Sequence, residues 1–488
     1  MSKLKAKTVQ GFKYTAIYTV LNGLINAVLI VILGHLLGPD QLGLKAIATI
    51  IIGLAVTISQ FGISQAIIQK DSINKNELNS LFVANLIIGS VGFLITFLLS
   101  YPISLFYQQP ELSFLLKITS IIFLIEPITL VYRALLEKEL ELKFITTVNT
   151  IKLMSSSIVS VILAVLNMGA LGFVIGHIFG TLVSIIIIRI DMHKRNIWKP
   201  SFSFSIKDIK PYFSFGFFVT GKNLLNYFSK NFDEVIIGKM LSFEILGIYH
   251  LAKQVVDKLI ELFTFSISKV TYPLFCKIKN DISDFQKMYL KITKMVSFIG
   301  FPLFSLMVLL LPNLIPLLFQ DNEWQKSITI MQIFCLKAMI DILSAGFSSN
   351  ALYAFNKPER VFYIDLYLVP IRLLSLFAAT LLSIEAVAYS YLLFVLLKAC
   401  LLQYAVNKTI NINMFNYGSN FMAPLIISLV LLFFVNLIEF NMSYIINIIL
   451  YLFLYLFLYL LIVKLKYPNL FLELKSILKL TLNKKRIV

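Results

Sequence analysis

Apolar runs of about 20 residues follow one another along this 488-residue chain, separated by short polar interruptions. As a helix rising 1.5 Å per residue, such a run matches the about 30 Å hydrocarbon core of a bilayer. The pattern predicts helices over 14–37, 44–69, 80–106, 113–133, 146–166, 170–190, 213–238, 245–270, 292–319, 327–353, 361–383, 386–407, 421–438 and 443–463. The expected fold class is an all-α polytopic membrane protein with about 14 transmembrane helices. Composition agrees: 58% of residues are apolar and 14% charged, against roughly a quarter charged in soluble domains. A soluble enzyme is excluded.

Charge sorts the connections into two sets. Alternate connections (the amino terminus, 70–79, 133–145, 189–212, 276–291, 354–360, 407–420 and the tail from Lys464) hold roughly 29 Lys and Arg. The other set holds about two, Lys239 and Lys326, beside scattered acids such as Asp40, Glu111 and Glu244. The positive-inside rule then puts both termini in the cytoplasm. The net charge of +18 is accounted for by these loops, so nucleic acid is not an expected partner. The outer loops are too short for a receptor-like domain, and Lys3, Lys5 and Lys7 precede a retained first span rather than a cleaved leader.

The chain repeats itself at an offset of 204 residues. Gly34-His-Leu-Leu-Gly-Pro-Asp-Gln-Leu-Gly43 matches Gly238-Lys-Met-Leu-Ser-Phe-Glu-Ile-Leu-Gly247 at four identical positions, with Asp40 opposite Glu244. The same register pairs Leu21-Asn22 with Leu225-Asn226 and Phe61-x-Ile63-Ser64 with Phe265-x-Ile267-Ser268. An even number of spans separates the copies, so they enter the membrane in the same direction. Parallel repeats of this kind build alternating-access transporters with the substrate between the halves. The expected organisation is an amino-terminal lobe over 1–200, a carboxy-terminal lobe over 201–412, and two extra helices with a basic tail over 413–488.

Ionisable residues inside the spans carry the candidate chemistry. At the centre of a span each costs about 2.5–3.5 kcal/mol if it faces lipid, so ten would cost roughly 30 kcal/mol, more than a fold can absorb. They therefore face water or one another. Lys222, Asn226, Lys230 and Asp233 step along one helical stripe, and His250, Lys253, Asp257 and Glu261 along another. Lys337 and Asp341 share a face, as do Asp365 and Arg372, while Asn22 and Asn26 mark the equivalent stripe of the first span. Two readings compete. One is a hydrated cationic cavity for an anionic headgroup, lined by Lys222, Lys230, Lys253, Lys337, Arg372, Asn22, Asn26 and Asn226. The other is internal ion pairing, as in Lys253–Asp257 and Lys337–Asp341 at i,i+4 spacing. With no nucleotide motif, transport would be driven by a gradient or the membrane potential. Glu126, Asp233, Asp257, Asp341 and Asp365 are the carboxylates able to carry a proton or Na⁺.

Other signals are weak. Gly216 to Lys222 imitates a phosphate-binding loop but lacks the Ser or Thr and the preceding strand. His35, His177, His193 and His250 share no ligand spacing, so packing roles are expected rather than a metal. Cys276, Cys335 and Cys400 read as small core residues. No catalytic constellation and no cofactor motif is present, so an enzyme is not expected.

The stretch Gly34 to Gly43, the run Phe61-Gly-Ile-Ser-Gln-Ala-Ile-Ile-Gln69 and the turn Asn356-Lys-Pro-Glu-Arg360 give a resemblance. The chain resembles the polysaccharide-export (Wzx-like) branch of the multidrug/oligosaccharidyl-lipid/polysaccharide flippase superfamily, of the colanic- and teichuronic-acid exporter type. The resemblance implies two six-helix lobes in a V plus two further helices. It implies flipping of an undecaprenyl-diphosphate-linked oligosaccharide, an O-antigen, capsule or exopolysaccharide repeat unit, across the bacterial inner membrane. Polysaccharide polymerase and glycosyltransferases would be its partners. Lipid II flippases look to carry charges in the first two spans, where this chain has Asn22, Asn26 and Gln60, which argues against lipid II. Within the superfamily the alternative is a cation-coupled multidrug antiporter, whose acidic cavity fits this basic set poorly. A non-transporting scaffold or a membrane polymerase is a third reading, and polymerases usually display a large outer loop that is missing here.

Overall fold

The computed structural model describes residues 2–60, 73–319, 322–440 and 442–469, with single positions 67, 70 and 472. The run Phe61 to Gln69 therefore lies almost wholly outside the described residues, as does most of the basic tail. The described chain is helical almost throughout. Helix α1 covers Ser2–Gln60, α2 Lys75–Tyr107, α3 Pro110–Ser120, α4 Ile122–Ile125, α5 Pro127–Lys138, α6 Leu142–Val165, α7 Gly169–Arg195 and α8 Ile206–Met240. Then come α9 (Phe243–Ile278), α10 (Ile282–Leu318), α11 (Gln325–Leu343), α12 (Ser349–Ala354), α13 (Pro358–Thr380), α14 (Ile384–Ile410), α15 (Met414–Asn436) and α16 (Tyr444–Lys466).

Among the described residues nine helices are long and apolar enough to cross a membrane, or ten if the bent pair on either side of Glu126 is one span. The chain is a multi-pass membrane protein of the all-α class. The expected fourteen spans are not reached on this criterion for physical reasons. Helix α1 counts once although it carries two expected spans, α8 and α9 are interrupted by charges, and a π-helical turn at Ser344–Ser348 divides α11 from α12.

The helix breaks follow the repeat. Gly38 has φ 69° and ψ 170°, a conformation glycine adopts at no steric cost, and Pro39 then opens the second arm of α1. Exactly one repeat later in register, Ser242 lies between the end of α8 and the start of α9.

Contacts divide the chain into two compact units: Met1–Lys258 with Leu373–Val387, and Leu259–Arg372 with Ala388–Val488. In the first, α6 and α7 pack at backbone distance. Gly172, Gly176 and Gly180 recur every four residues on α7, and a Cβ on each would come 2.9, 2.2 and 2.5 Å from Leu163, Ser160 and the Lys152 carbonyl of α6. Small residues at this spacing are how membrane helices approach closely when lipid offers no hydrophobic drive.

In the second unit α10 is the central post, buried along most of its length. Helix α16 leans on it through Asn447, Tyr451, Tyr455, Tyr459 and Val463, one residue per turn. Polar ends tie it there: the Asn447 amide donates to Asn313 at 3.1 Å, Tyr455 bonds Ser305, and the Tyr459 hydroxyl donates to the Phe298 carbonyl at 2.8 Å. Cys335 is buried as expected, but Cys400 is exposed on the apolar outer face of α14, beside Leu396, Leu397 and Leu401. Its apolar surroundings are those of a lipid-facing helix rather than a protein core.

Candidate functional site

Among the described residues three groups of intramembrane charge stand out, two in the first unit and one in the second. The largest joins α8 and α9. Lys253 lies 2.8 Å from Asp233 and 3.1 Å from Glu234, and also donates to the Lys230 carbonyl at 2.9 Å. Tyr249 donates to Asp233 at 2.7 Å. The Gln254 amide donates to His250 Nε2 at 2.7 Å, so the ring carries its proton on Nδ1 and donates it to Glu234 at 3.1 Å. Lys45, on the second arm of α1, is buried, lies over the Phe173 ring at 5.0 Å and acts electrostatically on Glu234. Two ammonium groups thus balance two carboxylates, which is the condition for keeping charges away from water.

The second group joins the helix break at Glu126 to α6 and α7. Lys152 Nζ meets the Glu126 carboxylate at 2.5 Å, and His177 Nε2 lies 3.9 Å from the same oxygen. The bend there is 43°. Pro127 has no N–H to offer the carbonyl of Phe123 one turn back, and Gly89 of α2 packs on that carbonyl, where a Cβ would come within 2.3 Å of it.

The third group lies in the second unit, on α11, α13 and α14. Lys337 Nζ is 3.2 Å from Asp341 and 4.5 Å from the centre of the Tyr391 ring. The Arg372 guanidinium is 4.4 Å from that same ring and 5.2 Å from Phe394. One aromatic ring therefore serves two buried cations. Both groups are positive, and Asp341 pairs with Lys337 on the same helix. Nearby, Lys398 pairs with Asp365 at 2.6 Å.

Residues 32–329 match the family described as polysaccharide biosynthesis protein. The chain belongs to that family. Teichuronic acid biosynthesis protein TuaB of Bacillus subtilis (strain 168) is 28% identical over 438 residues, 88% of each chain. Lipopolysaccharide biosynthesis protein WzxC of Escherichia coli (strain K12) is 29% identical over 337 residues, 69% of this chain and 68% of that protein. Among solved structures, lipid II flippase MurJ in an inward closed conformation superposes with a TM-score of 0.77 at 15% identity, covering 95% of this chain and 99% of that one. A multidrug resistance MATE family transporter of the MOP superfamily, inward-facing, gives 0.61 at 12% identity over 81% and 99%. The fold of this family member is that of the MOP superfamily.

Within that fold the sequence-derived candidates separate. Lys337 and Arg372 come together, and Lys253 is held by two carboxylates. Lys222, Asn226 and Lys230 lie exposed along α8, and Asp233 on the same stripe is buried. Asn22 accepts from Thr150 at 2.9 Å while its own carbonyl holds Asn26 at 2.8 Å. Asp257 is half-buried on α9. Sequence reading missed the pairing of five participants. Lys45 and Glu234 fell at or beside span ends, Tyr391 lay in an unremarkable apolar run, and His177 and His250 were assigned to packing. A buried pairing signal existed only for His177, in the glycine spacing that draws α7 onto Lys152.

Proposed function

We propose that this protein flips an undecaprenyl-diphosphate-linked oligosaccharide from the cytoplasmic to the outer leaflet of the bacterial inner membrane by alternating access, without catalysing a reaction. The observation that carries the proposal is a family match over residues 32–329 on a chain that has, end to end, the fold of a lipid II flippase. The relatives' names, teichuronic acid and lipopolysaccharide biosynthesis, point to a cell-surface polymer unit as the cargo. Both termini lie in the cytoplasm on the charge pattern of the loops. Polymerase and glycosyltransferases act on either side of the step.

Lys337 and Arg372 grip the diphosphate. Their shared ring at Tyr391 fixes them without neutralising them, since a ring attracts a cation and leaves its net charge intact. Lys222 and Lys230, exposed on α8, add attraction along the path of the headgroup. Net movement is driven by a proton or Na⁺ gradient carried on an intramembrane carboxylate.

The test is flipping of a fluorescent undecaprenyl-diphosphate oligosaccharide by the protein reconstituted in liposomes. Lys337→Ala with Arg372→Ala should reduce the rate by at least about tenfold, the loss of one charged contact or more. Flipping at the wild-type rate by the double variant would remove the headgroup assignment.

A further inference from the structure

We infer that Glu126, Lys152 and His177 form the proton-exchange site of this transporter, with His177 Nε2 as the atom that takes and releases the proton. This rests on the flipping proposal, and it selects one site among the five candidate carboxylates.

The groups come from the α4–α5 junction, α6 and α7 of one compact unit. Two packing devices bring them there. The glycine stripe of α7 holds His177 against α6 beside Lys152. The bend before Pro127 sets Glu126, whose own φ and ψ stay helical at −59° and −40°, at the junction of α4 and α5, and Gly89 lets α2 close on that turn. Asn85 of α2 donates to the Pro127 carbonyl at 3.5 Å, which secures the far side of the break.

The charge arithmetic has one free place. Glu126 and Lys152 cancel each other at 2.5 Å. His177 Nε2 is buried and has no hydrogen-bond partner among the described residues, yet it points at the carboxylate from 3.9 Å. A buried polar atom left unbonded is costly, and a proton on Nε2 turns it into a donor aimed at Glu126. Taking up that proton forms one N–H bond, breaks none in the protein, and moves the site from neutral to one positive charge.

Other charged groups do not compensate that change. Arg133 of α5 acts on Glu126 from further off and is itself bonded to Asn149. On the α1 side, Ile52 and Ala55 pack on Ile122 and Phe123 and bring no charge, and Asn85 of α2 is neutral. The donor set suits a proton better than Na⁺: the single carboxylate is already covered by an ammonium, and no group of three His, Cys, Asp or Glu among the described residues could hold a metal.

Two measurements decide it. In proteoliposomes, flipping of the fluorescent undecaprenyl-diphosphate oligosaccharide is timed with and without an imposed gradient of about one pH unit, which is worth up to about tenfold per proton. Wild type should accelerate by up to that factor, and the ratio should fall to one in His177→Gln. Because Glu126→Gln alone strands Lys152, the paired change Glu126→Gln with Lys152→Met is the second variant, and its ratio should also fall to one. A His177→Gln protein that keeps the wild-type ratio, or a wild type accelerated by Na⁺ and not by protons, overturns the inference. Wild-type flipping indifferent to every gradient removes coupling alone, whereas a wild type that moves no lipid removes the flipping proposal beneath it.

The second measurement needs no transport. With four histidines in the chain, nitrogen-labelled imidazoles in nanodiscs can be assigned by loss of one signal in His177→Gln. The His177 ring should change protonation state between about pH 3 and about pH 9. A ring that keeps one state throughout overturns the site.

Discussion

Gly43 rests on the backbone carbonyl of Phe243, so closely that a Cβ there would begin 2.1 Å from the oxygen. Gly247 rests in the same manner on the carbonyl of Pro39, at 1.8 Å. A shift of 204 residues converts Gly43 into Gly247 and Pro39 into Phe243. The second arm of α1 and the start of α9 therefore cross by a two-fold exchange of one contact. The identity of Gly43 and Gly247 follows from geometry, since each side of the crossing tolerates only a hydrogen.

Gly43→Ala or Gly247→Ala should each destabilise this arrangement by about 1–3 kcal/mol, the usual cost of overpacking. The effects should be sub-additive in the double variant, because both changes open one crossing. Thermal unfolding of the purified protein in detergent measures all three. Fully additive losses would mean that the two contacts are independent.

Lys253→Met should cost about 3–5 kcal/mol, since it leaves Asp233 and Glu234 buried opposite a missing partner. Lys222→Ala, on an exposed position, should change stability by less than about 0.5 kcal/mol. Fluorescence-detected size exclusion after a heat step separates the two. If both variants lose export, only Lys222→Ala should do so while remaining folded.

Tyr391→Phe keeps the ring under Lys337 and Arg372 and should support surface polysaccharide at close to the wild-type level. Tyr391→Leu removes the ring, worth about 0.5–2 kcal/mol per cation, and should cut export several-fold at equal protein abundance. Polymer yield normalised to membrane protein is the measurement. Equal export by the two variants would show that the ring does not orient the cations.

Gly180→Leu should separate α6 from α7, because even its first carbon meets the Lys152 carbonyl at 2.5 Å. The expected result is a loss of folded protein in the membrane. Gly221→Ala is the control, since a Cβ there meets nothing within 4 Å.

Much of this molecule was readable from the chain alone. The expected runs fall on helices because a bilayer leaves the backbone few alternatives. The repeat was legible because its break, Gly38 and Ser242, and its crossing glycines sit in polar or glycine positions that leucine-rich spans do not match by accident. What sequence could not give is which charges meet. His177 and Glu126 are 51 residues apart, and only the depth at which α7 packs on α6 makes them neighbours. Lys253 has Asp257 one turn along its own helix, yet Asp233 and Glu234 across the α8–α9 turn meet it at 2.8 and 3.1 Å. Spacing along one helix says what can pair, and the turn between two helices decides what does.

The glycine stripe of α7 has a mechanical corollary. Side chains that interdigitate can slide past one another by changing rotamer, but Gly172, Gly176 and Gly180 present bare backbone to α6 and have none to change. These two helices must travel as a single plank, so any stroke that carries cargo has to be borne at softer seams, and the bend at Glu126 is the nearest one.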